Sequence, residues 1–201
     1  MLDAQLLAFL APALERVGRR LAVLGVTANG VTLAGWVASA AAAGLLAIGA
    51  YGAALAAIIA SRLADGLDGA VARVQGPSDF GAYLDIVGDF LFYAAVPFGF
   101  ALADADFALP ASCLLFAFVG TGSTFLAFAI LAAKRGVTAS KPTAKSFYYL
   151  GGLTEGTETI ALFALVCLWP AAFPALAYVF SALCWLTTAT RILEAWRTFG
   201  R

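Results

Sequence analysis

The chain has 201 residues, 63% of them hydrophobic and 12% charged, with mean hydropathy +0.93 and no net charge. Soluble domains are roughly 45–50% apolar and about 25% charged, so the composition points to lipid as the solvent. Zero net charge argues against a nucleic-acid partner, which usually leaves a basic footprint, and the absence of histidine excludes His-based metal sites and His general bases.

The first 20 residues, MLDAQLLAFLAPALERVGRR, carry their basic residues after the apolar stretch and show no convincing cleavage site, so no signal peptide is expected. Leu6, Leu7, Leu10, Leu14 and Val17 recur at helical spacing. They predict a helix over about Ala4 to Arg20, within an interfacial segment 1–22 lying along the membrane surface. Six apolar runs follow, each near the 20 residues a spanning helix needs. The first is Val31 to Ile48. The second runs from Gly52 through Ala64 into a charged stretch. The third is Phe80 to Ala103, after which DADFALP reads as a loop. The fourth is Leu109 to Ala133, followed by the polar loop KRGVTASKPTAKS. The fifth is Phe147 to Trp169, ended by PAAFP with Pro170 and Pro174. The sixth is Ala175 to Ala195. The expected fold is therefore an all-α integral membrane protein, one domain over 1–201 with six transmembrane helices and an N-terminal interfacial helix.

Basic residues set orientation. Arg16, Arg19 and Arg20, then Arg62 and Arg73, then Lys134, Arg135, Lys141 and Lys145, then Arg191, Arg197 and Arg201 are all 12 of them. In the six-span layout every one falls on one side, so both termini and the stretch Ser61 to Phe90 are expected to face the cytoplasm. Cys113, Cys167 and Cys184 lie in apolar runs without C-x-x-C spacing and read as small buried hydrophobes.

The stretch 61–90 joins the second and third spans. Asp65 and Asp68 are three apart, and Asp85 and Asp89 four apart, so each pair shares a helix face. The short connection is expected to make the two spans adjacent, bringing four carboxylates together. Like charges in a poorly solvated place repel. A divalent cation removes that cost, and oxygen-only ligands suit Mg²⁺, Mn²⁺ or Ca²⁺. Gly66, Gly69 and Gly81 clear side chains from the neighbourhood, which favours close approach of a ligand or another backbone. Arg73 offers a planar fork to phosphate oxygens, although Arg62 and Arg73 can also serve simply to neutralise two of the acids. Asp79 falls outside the spacing and reads as a solvated loop acid.

These residues resemble the signature of the CDP-alcohol phosphotransferase (CDP-alcohol phosphatidyltransferase) family, D-x-x-D-G-x-x-A-R, a spacer, then G-x-x-x-D-x-x-x-D. It is matched by Asp65, Asp68, Gly69, Ala72, Arg73, Gly81, Asp85 and Asp89. The spacer, Val74 to Phe80, is one residue shorter than the usual pattern. TANGVT, Thr27 to Thr32, is similar to the family's T-P-N-x-x-S/T segment, with Ala28 where proline is usual. The resemblance implies an enzyme of phospholipid biosynthesis. A substituted phosphate passes from a CDP-linked lipid, typically CDP-diacylglycerol, to an alcohol, and CMP is released. It implies two divalent cations, Mg²⁺ or Mn²⁺, held by Asp65, Asp68, Asp85 and Asp89, with Asp89 also the general base. Asn29, Gly69, Ala72, Arg73 and Gly81 would frame the CDP group. Family members are commonly homodimers.

Two clues bear on the acceptor, and they differ. Lys141 and Lys145, with Lys134 and Arg135, suit a phosphorylated alcohol. Glu155 and Glu158, early in the fifth span and roughly on one face, suit an amine-bearing alcohol. Tyr148, Tyr149 and the four tryptophans, Trp36 among them, read as interfacial or packing aromatics. Three other readings compete. An aspartate-rich membrane prenyltransferase needs a longer chain. An ion-coupled transporter needs polar residues in both membrane halves. A metal-binding scaffold without turnover is the third.

Overall fold

The structure, a computed structural model, describes residues 2–136 and 154–200, with side chains from residue 9 onward. The described residues form helices α1 (Leu2–Val23), α2 (Ala28–Ala47), α3 (Tyr51–Gln75), α4 (Asp79–Ala103), α5 (Ala105–Lys134), α6 (Gly156–Leu168) and α7 (Phe173–Phe199), with one 3-10 turn at Pro170–Ala172. Four segments, Ala28–Ala47, Asp79–Ala103, Ala105–Lys134 and Pro170–Phe199, are long and apolar enough to cross a membrane. Of the other two expected spans, α3 carries Arg62, Asp65, Asp68 and Arg73 within its 25 residues, and α6 has 13 described residues. Lys141, Lys145, Tyr148 and Tyr149 lie outside the described residues.

Three local expectations are corrected at helix ends, two of them by capping. DADFALP is not a loop: α5 starts at Ala105 and only Asp104 separates it from α4. The Asp104 carboxylate accepts from the Asp106 N–H at 2.9 Å, satisfying an end donor that the apolar run gives no hint of. Asp79 is the first residue of α4 rather than a loop acid, where a negative charge complements the helix dipole. The helix is capped by Ser78, whose hydroxyl accepts from Gly81 N–H at 3.1 Å. The last helix starts at Phe173, not Ala175, because Pro174 fits its first turn, where no backbone donor is needed.

The packing corrects the expected neighbours. α2 packs closely on both α3 and α4, whereas backbone contact between α3 and α4 is sparse. The connection Gly76–Ser78 is short, with Gly76 at φ +97°, but beyond it the two helices diverge around α2. Small residues allow α2 its central place. A β-carbon on Gly35 would lie 3.2 Å from Ala64 Cβ on α3, and one on Gly99 of α4 would lie 2.8 Å from the Ala43 carbonyl oxygen. Behind α3, a β-carbon on Gly18 of α1 would stand 2.6 Å from Ala70 Cβ, and Leu14 fills the space left by Gly66. Gly66 therefore serves helix packing, not ligand approach. Away from the acids, the core is aromatic. Phe100 stacks on Phe173 with centroids 4.2 Å apart, and Phe92 meets Phe163 edge-on.

Candidate active site between three helices

The divergence of α3 and α4 leaves a narrow pocket with α2 as its back wall. α2 contributes Thr32, Gly35 and Trp36. α3 contributes Ser61, Arg62, Asp65 and Asp68, and α4 contributes Asp85 and Gly88. Its free space is of the order of one water or one bare cation. Three of the four signature aspartates thus line one opening, Asp65 and Asp68 from α3 and Asp85 from α4.

Each wall is held by specific contacts. Asp68 is 6% exposed, and the Thr32 hydroxyl donates to its carboxylate at 2.6 Å. The indole of Trp36 lies against the α4 backbone at Gly88, where no side chain would fit. Its Nε1–H is buried without a protein acceptor. Asp89 follows Gly88 but does not line the opening; its Oδ1 accepts from Arg62 Nη1 at 2.8 Å. The same Nη1 is 3.5 Å from Asp65 Oδ1. The Arg62 guanidinium lies 3.6 Å from the centre of the Phe92 ring, and its Nη2 donates to Ser61 Oγ at 3.3 Å.

Of the residues assigned to the nucleotide, Asn29 and Gly81 come together: a β-carbon on Gly81 would lie 3.2 Å from Asn29 Oδ1. The gap at Gly81 keeps the end of α4 open toward α2. Gly69 and Arg73 are also neighbours, with Arg73 Nη1 3.5 Å from the position of a β-carbon on Gly69, and Ala72 lies between them on α3. Among the described residues, Arg73 pairs with none of the aspartates, so of the two arginines only Arg62 neutralises an acid.

The short spacer and the missing proline meet in one contact. Gln75, within the spacer, donates through Nε2 to the Val26 carbonyl at 2.8 Å and accepts from the Ala28 N–H at 3.3 Å. A proline at position 28 has no N–H to give. Glu155 and Glu158 form a capping box on α6, the Glu158 carboxylate accepting from Glu155 N–H at 3.1 Å. That gives both glutamates a structural task.

Arg62, Thr32, Trp36 and Ser61 belong to the site although sequence spacing did not assign them to it. Thr32 had a signal, as the last residue of TANGVT. Trp36 had none beyond its place one turn further along α2.

The donor set around the pocket is carboxylate and hydroxyl oxygen, which fits a hard divalent cation rather than a soft one. Among the described residues no three acidic side chains already stand at metal-ligand separation, in keeping with Asp89 being drawn to Arg62.

A family model for CDP-alcohol phosphatidyltransferases matches residues 25–193. The Escherichia coli K12 inner membrane protein YnjF is 53% identical over 199 residues, covering 98% of this chain and 97% of that protein. The archaetidylinositol phosphate synthase of Pyrococcus horikoshii is 38% identical over 102 residues, 44% of this chain and 48% of that one. The Mycobacterium tuberculosis phosphatidylinositol phosphate synthase PgsA1, solved with manganese and citrate, superimposes with TM-score 0.68 at 25% identity, covering 91% and 88% of the two chains. The same enzyme with CDP-DAG bound shares the fold, with TM-score 0.69 at 24% identity over 91% and 93%. The chain belongs to the CDP-alcohol phosphatidyltransferase family, transferases of phospholipid biosynthesis.

Proposed function

We propose that this protein transfers a phosphatidyl group from CDP-diacylglycerol to a phosphorylated alcohol and releases CMP. The observation that carries the reading is the pocket in which Asp65, Asp68 and Asp85, from two helices, meet against Thr32 of a third. The acceptor hydroxyl attacks the lipid-linked phosphorus, the bond from that phosphorus to the CMP oxygen breaks, and the hydroxyl proton passes to Asp89. Divalent cations, Mg²⁺ or Mn²⁺, supply neutralisation of the leaving phosphate and polarisation of the attacked phosphorus. Asp65, Asp68, Asp85 and Asp89 are the residues to hold them. Asn29, Gly81, Gly69, Ala72 and Arg73 frame the nucleotide. The manganese complex of PgsA1 and its CDP-DAG complex support this assignment by similarity.

The capping box gives Glu155 and Glu158 a structural role, which lessens their support for an amine-bearing acceptor. The basic run of Lys134, Arg135, Lys141 and Lys145 then favours a phosphorylated one, and the relatives named for inositol phosphate products agree. α3 and α6 complete six spans, and all basic residues then share the cytoplasmic side with both termini and the site. Donor tails stay in lipid while the diphosphate reaches the pocket.

The test is CMP release by detergent-purified protein given CDP-diacylglycerol, Mn²⁺ or Mg²⁺, and one alcohol at a time: inositol 1-phosphate, glycerol 3-phosphate, inositol, serine or choline. Release with a phosphorylated alcohol, reduced at least about 100-fold in Asp89→Asn, is expected. Release with serine or choline alone overturns the acceptor class. Undiminished release by Asp89→Asn overturns the base assignment.

A further inference from the structure

Arg62 ties α3 to α4 where their backbones diverge. It sits one turn before Asp65, and Phe92 sits three residues after Asp89, so bridge and shelf come from facing helices. The guanidinium is immobilised. Its side chain is 15% exposed, it lies flat enough on Phe92 for a 3.6 Å approach to the ring centre, and Phe92 is fully buried. A guanidinium over an aromatic face is attracted to it, most strongly when desolvated. One nitrogen, Nη1, serves both Asp89 and Asp65, while Nε–H is buried without a protein acceptor. The result is a fixed positive charge at the edge of a carboxylate pocket, holding the one signature aspartate that does not line it.

We propose that Arg62 is a resident competitor of the divalent cation for Asp89, a positioning residue that steadies the acidic site without a cation and weakens its hold on one. This rests on the cation-binding reading of the aspartates given above. A unit positive charge 2.8 and 3.5 Å from two prospective ligands opposes a dication in the same place, and the opposition is strongest where water is scarce. The same charge offsets repulsion among the carboxylates when no cation is present. Weak retention suits a site that must release a cation-bound product, CMP, at each turnover.

The experiment is Mn²⁺ titration by calorimetry, and thermal melting with and without Mn²⁺, on detergent-purified wild type, Arg62→Met and Arg62→Lys. Methionine keeps length and packing on Phe92 but not charge; lysine keeps charge but not the fork. In Arg62→Met, Mn²⁺ is expected to bind about tenfold tighter while the metal-free protein melts lower, so the Mn²⁺-induced rise in melting temperature grows. In Arg62→Lys, affinity is expected to stay within about threefold of wild type. Should Arg62→Met not yield folded protein, Arg62→Gln carries the same comparison without charge. Unchanged or weaker Mn²⁺ binding in the uncharged variants overturns the proposal while leaving the metal reading intact. A wild type that binds no Mn²⁺ overturns the metal reading and the proposal with it.

Discussion

The two ends of α4 solve opposite problems. Toward its C-terminus, Phe92, Val96 and Phe100 are wholly buried, and Phe100 stacks against Phe173 and Tyr51 with Phe107 tilted beside it. Toward its N-terminus, Asp85 lines the acidic pocket and Asp89 is held beside it by Arg62. Apart from Phe92, which also carries the Arg62 guanidinium, the aromatic end packs on other aromatic and aliphatic side chains. The acidic end is held by the Arg62 contacts to Asp89 and Asp65, which a cation bound as proposed would have to rearrange. The contrast locates stability and activity at different places along one helix, and it can be pressed from either side.

The largest effect is expected at the acidic end. Asp89→Asn should lower CMP release by about 10²–10⁴-fold, while the melting temperature moves by no more than about 4 °C. The lost Arg62 bond and the relieved repulsion act in opposite directions. A collapse of the fold in this variant would erase the distinction between the ends.

Phe100→Ala presses the other end. Large-to-small aromatic changes in cores cost about 3–5 kcal/mol. In lipid the transfer part is weaker and the loss of packing remains, so the lower part of that range is expected, read as a fall in melting temperature. Mn²⁺ affinity of the protein that stays folded should match wild type. A changed affinity would show that the ends are coupled.

Thr32→Val lies within the site but tests support rather than chemistry. It preserves shape and deletes the hydroxyl that donates to Asp68. A hydrogen bond to a charged group contributes about 1.5–3 kcal/mol, so the metal-free protein should melt several degrees lower, and Mn²⁺ affinity should fall because Asp68 loses the donor that fixes its carboxylate. Equal affinity would mean that the hydroxyl only fills space.

Ala28→Pro is the mildest. It removes the N–H that reaches Gln75 at an exposed 3.3 Å, but proline suits the first position of a helix. Stability is expected to change by less than about 1 kcal/mol, and Gln75→Ala should matter less in the proline background than alone. An additive pair in melting measurements would show that the clasp does not couple the two departures from the family pattern.

Much of the site was legible because helical spacing acts locally. Asp65 with Asp68, and Asp85 with Asp89, are set on common faces by 3.6 residues per turn alone. Arg62 was half legible: its charge marked it as able to neutralise an acid, but spacing does not say which one. Helix ends were least legible. Asp104 and Ser78 act through single side-chain-to-backbone bonds, which leave no periodic trace. Asp79 looked like a loop acid because its helix begins one residue before the apolar run does.

By itself, the sequence determined the lipid-compatible all-helical chain, the carboxylate faces and the family signature, since composition, period and motif are properties of neighbours along the chain. Only the tertiary structure decided that α2 stands between α3 and α4, that Gly66 serves Leu14, and that Arg62 reaches Asp89 across the opening. Those outcomes depend on which small residues let which backbones approach. That choice is made by packing among helices distant in sequence, where no local rule applies.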